Sequence, residues 1–114
     1  MSDKFTITKK ENEKLFDIVV QGKFEKEDGQ AYMTDFTQKI SSINPSDYTL
    51  KFDCRNLSVS ANESLDLLQG CFNLYKETGF KKVIAVLDSN QIVLEMQFKR
   101  LARNANLDNF EIIK

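Results

Sequence analysis

The chain has 114 residues, of which 41% are hydrophobic and 11% aromatic, and its 16 basic and 17 acidic residues give a net charge of −1. This length and composition predict one globular domain over residues 1–114, and the balanced charge gives no general attraction to nucleic acid or to an anionic membrane. The sequence contains no histidine, which excludes a Ser/His/Asp or Cys/His triad and a histidine-based metal site.

The first half of the chain predicts a hairpin, a helix and a third strand. Residues 5–10 alternate apolar and polar side chains, and residues 15–24 are rich in β-branched and aromatic side chains, so both segments are typical of strands. Over residues 26–43 the apolar residues recur at spacings of three and four, which predicts an amphipathic helix. Alternation resumes at Tyr48, and we expect this third strand to end at Asp53.

The second half predicts two further helices and two further strands. We expect a helix over residues 61–78, a strand buried on both faces over residues 82–88, a helix over residues 90–105 and a last strand over residues 110–113. The residues expected in the core are Leu65, Leu68, Phe72, Ile84 and Val86. The order β-β-α-β-α-β-α-β predicts an α/β fold with a mixed, mostly parallel sheet and packed helices, because strands that alternate with helices are joined by right-handed crossovers.

Two cysteines, Cys54 and Cys71, lie in apolar stretches of a predicted strand and a predicted helix. We interpret them as buried, reduced thiols and not as a disulfide, since free cysteine is among the most buried residue types. That interpretation favours a reducing compartment. The N-terminus has no apolar signal region and no run approaches about 18 apolar residues, so we expect a cytoplasmic protein without a membrane span.

The third helix has two different faces. Leu94, Phe98, Leu101 and Ala105 face the core by their spacing, whereas Ile92, Met96, Lys99 and Arg103 fall on another face. A run of charges on a helix is usually a solvated face. Exposed apolar residues beside such charges, however, tend to mark partner surfaces, so both interpretations stay open.

The segment that leads into the second helix and forms its first turn, SVSANESLD at residues 58–66, is the main candidate for a functional site. Ser60 or Asn62 can cap the helix, and Glu63 three residues after Ser60 completes a capping-box pattern. The same helix N-terminus presents backbone N–H groups that favour an anion or a partner. Three interpretations stay open here: a helix cap, a partner- or anion-binding surface, and phosphorylation of Ser60 or Ser64.

With its order of elements, this segment resembles the STAS domain (sulfate transporter and anti-sigma-factor antagonist) over nearly the whole chain. That family shows an aspartate at the end of the third strand, a short loop, and Asp-Ser-Ser-Gly-Leu opening a helix. Asp53 falls on the aspartate, and residues 61–65, Ala-Asn-Glu-Ser-Leu, fall on the motif. The resemblance implies that Glu63 stands where bacterial anti-sigma-factor antagonists carry the serine that accepts phosphate, and glutamate cannot be phosphorylated.

The resemblance implies a regulatory, non-enzymatic protein-binding module, with an anti-sigma factor or a kinase-like regulator as its partner. The residues expected to contact that partner are Ser58, Ser60, Asn62, Glu63, Ser64 and Asp66. The alternative is a carrier that holds a nucleotide or a lipid-like ligand against the sheet. An enzyme is the least favoured class, because catalysis would rest on Asp53, Glu63 or Asp88 and nothing in the sequence pairs them. No cofactor and no metal is expected, and the sequence leaves the oligomeric state open.

Overall fold

The computed structural model describes residues 5–23, 26–58 and 62–114, with the backbone alone at residues 26, 58 and 62–65. The strands and helices follow the predicted order. They are β1 Phe5–Lys10, β2 Leu15–Lys23, α1 Lys26–Ile40, β3 Thr49–Ser58, α2 Asn62–Thr78, β4 Lys82–Val86, α3 Ile92–Asn104 and β5 Phe110–Ile113.

The five strands form one sheet in the order β1-β2-β3-β4-β5. The β1–β2 hairpin is antiparallel, and every later pair is parallel. The predicted α/β fold with a mixed, mostly parallel sheet is therefore confirmed.

All three helices lie on one face of this sheet. Each parallel connection moves one strand further in the same direction, so right-handed crossovers place the helices on the same side. In agreement, α1 contacts α2 and α2 contacts α3. The side chains of β2 alternate accordingly, because Phe16 and Ile18 are fully buried whereas Asp17 and Val19 lie on the opposite, open face.

The expectation that the fourth strand is buried on both faces is wrong. Val83 and Ala85 are fully buried, but Ile84 between them is only half-buried and Lys82 is exposed. The physical reason is the one-sided placement of the helices, which leaves the face that carries Ile84 without a helical layer. Val86 is buried, as expected.

The core between sheet and helices is largely aromatic. Phe52 of β3 has its ring 5.8 Å from the ring of Phe72, 5.5 Å from that of Tyr75 and 5.8 Å from that of Phe98, measured between centroids. Leu68 and Phe72 are buried, as predicted, while the side chain of Leu65 lies outside the described part of the chain. The predicted core face of α3 is confirmed, since Leu94, Phe98, Leu101 and Ala105 are all buried.

Two helices end at residues with positive φ, a conformation that glycine and asparagine adopt most readily. Gly79 follows α2 with φ 82°, and Asn106 follows α3 with φ 58°. At the end of α3 the Leu107 N–H donates to the Ala102 carbonyl at 2.9 Å, and the Asn106 N–H donates to the Arg103 carbonyl at 3.1 Å. These two bonds satisfy carbonyls that the last helical turn leaves unpaired.

Candidate partner-binding site

The residues predicted to contact a partner lie where β3 ends and α2 begins. Those inside the described ranges are Ser58, Asn62, Glu63, Ser64 and Asp66. Ser58 is the last residue of β3, Asn62 is the first residue of α2, and Asp66 is exposed one turn later. Ser60 and the side chains of the predicted helix cap lie outside the described residues. The contact role of the whole set stays a prediction.

The third strand does not end at Asp53, as expected, but continues to Ser58. It pairs with β4 only as far as Asp53 and Val86, whereas its pairing with β2 resumes after a bulge and reaches Ser58. Arg55 and Asn56 in this extension are both exposed. A strand paired on one side only tolerates such consecutive polar residues, which is why the sequence indicated a loop here.

The start of α3 is fixed against this extension of β3 by one side chain. Gln91 Nε2 donates to the Cys54 carbonyl oxygen at 3.1 Å, and Gln91 Oε1 accepts from the Asp88 N–H at 2.7 Å. Further along, Gln69 Nε2 of α2 donates to the Leu101 carbonyl oxygen of α3 at 3.1 Å. The third helix therefore lies close both to the end of β3 and to α2.

A groove of about 490 Å³ lies between the end of β3 and the first turns of α3. Its lining residues are Leu57, Asn90, Gln91, Ile92, Val93, Leu94 and Gln97. Leu57 forms the β3 side and directly precedes Ser58. The groove therefore adjoins the segment predicted to bind a partner.

Three large apolar side chains at the start of α3 are exposed beside this groove. The exposed fractions are 61% for Ile92, 69% for Val93 and 66% for Met96, and we call these residues the apolar cluster. Exposing apolar surface to water is unfavourable by roughly 25 cal/mol per Å². Neighbouring exposed apolar side chains therefore tend to mark surfaces that a partner covers.

Asp53 and Arg55 form a two-point ion pair on one face of β3. Arg55 Nε lies 3.0 Å from Asp53 Oδ1, and Arg55 Nη2 lies 2.7 Å from Asp53 Oδ2. These hydrogen bonds hold the pKa of Asp53 below its usual value. The carboxylate is therefore ionised and already bonded at neutral pH, which makes it a poor proton acceptor for catalysis.

A polar cluster is buried in the core between the sheet and the helices. The hydroxyl oxygens of Tyr32 and Tyr75 lie 2.6 Å apart. Burial raises the pKa of both tyrosines, raises that of Cys71 to about 12, and raises that of Cys54 further still. Both cysteines are free and buried, as predicted. All four groups therefore stay protonated and uncharged at neutral pH.

These four side chains line a small, partly open cavity of about 20 Å³. That volume is close to the space needed for one water molecule. A nucleotide or a lipid chain is many times larger, so this cavity does not favour the carrier alternative.

The described ranges show no arrangement for a metal and no transmembrane helix. Within residues 5–23, 26–58 and 62–114, no three acidic or cysteine side chains are grouped as metal ligands. In the same part of the chain, each helix is too short or too polar to cross a bilayer.

The chain has a STAS-like fold. The solved structure of the anti-sigma factor antagonist SpoIIAA in its unphosphorylated form is similar with a TM-score of 0.61 and 12% sequence identity, over 96% of this chain and 88% of that chain. The likeness confirms the fold that the sequence resemblance implies. No family model matches the chain, and the search of curated proteins found no match to its sequence. Membership of the STAS family stays a prediction.

Sequence reasoning missed three residues that shape this region. Tyr32 lies four positions before Phe36, so the helical period of α1 could have placed it in the core. Val93 adjoins Ile92 and lies on the outer side of α3, but the chosen stripe left it out. Gln91 has no sequence signal, because its bond to Cys54 joins residues 37 positions apart.

Proposed function

We propose that the chain is a regulatory protein-binding module that acts without catalysis, in the manner of an anti-sigma-factor antagonist. The observation that carries this proposal is the exposed apolar cluster beside a groove at the end of β3. A surface of that kind fits a protein partner. The STAS-like fold supports the same class, since SpoIIAA, which shares it, is an anti-sigma factor antagonist.

The centre of the docking surface in this proposal is the segment of residues 58–66. Leu57 lines the groove, and the segment begins at the next residue. The backbone N–H groups of the first turn of α2 add a positive dipole end at this place. Asp66 is exposed one turn into the helix and available to a partner.

The test is capture of partners on the tagged chain from its own cells, with a Glu63→Lys variant as the probe. A charge of the wrong sign at an interface centre should weaken binding about tenfold, which is roughly 1.4 kcal/mol. Glu77→Lys is the matched control, because Glu77 is exposed near the other end of the same helix. Recovery is compared at equal folded fraction, since the Glu63 change alone costs the fold about 1 kcal/mol. Equal recovery with both variants would contradict the proposal.

A second consequence concerns phosphorylation. Because Glu63 occupies the family's acceptor position, a kinase captured with the chain should transfer no phosphate to this segment. Intact mass after incubation with that kinase and ATP checks the expectation. Phosphate on Ser60 or Ser64 would instead show that the acceptor has moved along the chain.

A further inference from the structure

The exposed face of α3 changes character along its length. Its first two turns present the apolar cluster. The following turns present three exposed basic residues, Lys99, Arg100 and Arg103. By helical geometry Arg103 is two turns beyond Met96, about 10 Å along the axis, and lies on the same side. The helix therefore offers an apolar end and a basic end on a single line.

The chain itself neutralises only part of the basic end. Glu95 is the only acidic residue of α3, and it is paired with Lys99 at 3.1 Å and with Lys114. Arg100 and Arg103 have no ion-pair partner within the described residues. With three basic residues and one acidic residue, α3 has a net charge of +2, although the whole chain has a net charge of −1. This local charge is opposite in sign to that of the rest of the molecule.

The arrangement fits a protein better than a nucleic acid or a membrane. The exposed positions of α3 carry no aromatic side chain on which a base could stack. In a helix that lies in a membrane, basic residues occupy the polar face opposite the apolar face. Here they follow the apolar cluster on the same face. The groove beside the cluster is concave and can receive a partner side chain.

We propose that α3 binds an acidic, amphipathic helical segment of the partner protein. Apolar side chains of that segment cover the apolar cluster and enter the groove. Carboxylates about two turns further along pair with Arg100 and Arg103, whose planar guanidinium groups suit carboxylates. The inference rests on the proposed function and names the chemistry of its partner.

The experiment uses synthetic peptides of about four helical turns. One peptide has leucines on one face of its first half and glutamates on the same face of its second half. A second peptide replaces the glutamates with lysines, and a third replaces the leucines with serines. Amide NMR spectra of the isotope-labelled chain are recorded during titration with each peptide. We expect the first peptide to shift signals of residues 91–104 and to bind at least tenfold more tightly than the other two.

Charge reversal on the chain is the decisive step. The Arg100→Glu/Arg103→Glu variant should prefer the lysine peptide to the glutamate peptide. The matched control is Lys76→Glu/Lys81→Glu, which makes the same charge change at two exposed residues outside α3. The control should keep the original preference. Circular dichroism confirms that each variant is folded before its preference is compared.

Three outcomes would overturn the inference: equal binding of the glutamate and lysine peptides, signal shifts away from α3, and no binding of any peptide. Vesicles of phosphatidylglycerol form a further arm. Vesicle binding that needs Arg100 and Arg103, without peptide selectivity, would assign the face to a membrane instead. If the peptides show no selectivity but partner capture still depends on Glu63, only this inference is overturned. If the peptides show the expected selectivity but partner capture is unaffected by Glu63→Lys, only the proposed docking centre is overturned.

Discussion

The hydroxyl groups of Tyr32 and Tyr75 form a buried polar pair in the core. Each ring packs among aromatic neighbours, and Phe36 lies 5.8 Å from the Tyr32 ring and 5.6 Å from the Tyr75 ring. A hydroxyl in such surroundings costs free energy unless it is hydrogen-bonded. The 2.6 Å contact between the two oxygens meets that need for both residues at once.

Removing one hydroxyl of this pair takes away the hydrogen-bond partner of the other. The costs of the two single removals should therefore add up to more than the cost of removing both hydroxyls. We expect Tyr32→Phe to lower the free energy of unfolding by about 1–3 kcal/mol, because the Tyr75 hydroxyl loses this partner. Urea denaturation of Tyr32→Phe, Tyr75→Phe and the double variant measures the coupling. It should reach about 0.5 kcal/mol or more. Strictly additive effects would show that the contact contributes nothing.

Leu68 tests the predicted inner face of α2. Only 8% of this residue is exposed, and it lines the small cavity beside Cys71 and Tyr75. Leu68→Ala should lower the free energy of unfolding by about 2–5 kcal/mol, since it enlarges a cavity that the core does not fill. Lys76→Ala on the outer face should change it by about 0.5 kcal/mol or less. An unchanged urea midpoint for Leu68→Ala would contradict this helix face.

At the scale of elements, the start of α3 depends on Gln91. The helix has no side-chain cap of its own, and Gln91 instead joins the β4–α3 loop to β3. This side chain therefore ties the segment just before the apolar cluster to β3, which forms the other side of the groove.

We expect Gln91→Ala to lower the free energy of unfolding by about 1–3 kcal/mol through loss of these two hydrogen bonds. The Asp88 amide should also exchange with solvent faster, because it loses its acceptor. Gln97→Ala is the matched control, since Gln97 lines the same groove further along α3. Hydrogen exchange is measured by NMR for both variants. An equal exchange rate of the Asp88 amide in the two variants would show that packing alone positions the start of α3.

The positions of the helices and strands were predictable to within a few residues. The contacts between these elements were less predictable. The period of apolar residues identified all three helices. The continuation of β3 to Ser58 was missed because one-sided pairing leaves Arg55 and Asn56 exposed, which is the pattern of a loop. At the candidate site, the exposure of Ile92 and Met96 followed from helical spacing. The bridge from Gln91 to Cys54 did not, because it depends on how the chain folds back.

At the scale of the whole molecule, the buried uncharged groups make stability depend on alkaline pH. Cys54, Cys71, Tyr32 and Tyr75 all have a pKa raised by burial, that of Cys71 to about 12. In the unfolded chain the thiols lose their protons from about pH 8.5 and the phenols from about pH 10. The folded chain keeps these protons, so the unfolded state is increasingly favoured as pH rises.

Stability should therefore be retained below about pH 8.5 and should fall above it, by up to about 1.4 kcal/mol per pH unit for each proton released. Urea unfolding between about pH 8 and about pH 11 measures the slope. Cys71→Ala should give a shallower slope above about pH 9, whatever its stability at neutral pH. A free energy of unfolding that stays constant over this range would mean that these groups ionise in the folded state.

Because the helices cover only one face of the sheet, the other face offers a place to label or immobilise the chain. Thr6 and Thr8 are exposed on the open face of the sheet, opposite the face covered by α2 and α3. Both native thiols are buried and protonated, so a cysteine placed at Thr8 would be the reactive one under mild conditions. A chain immobilised or labelled there would present its helical side to solution. Binding could then be followed on a sensor surface without a tag near the helices.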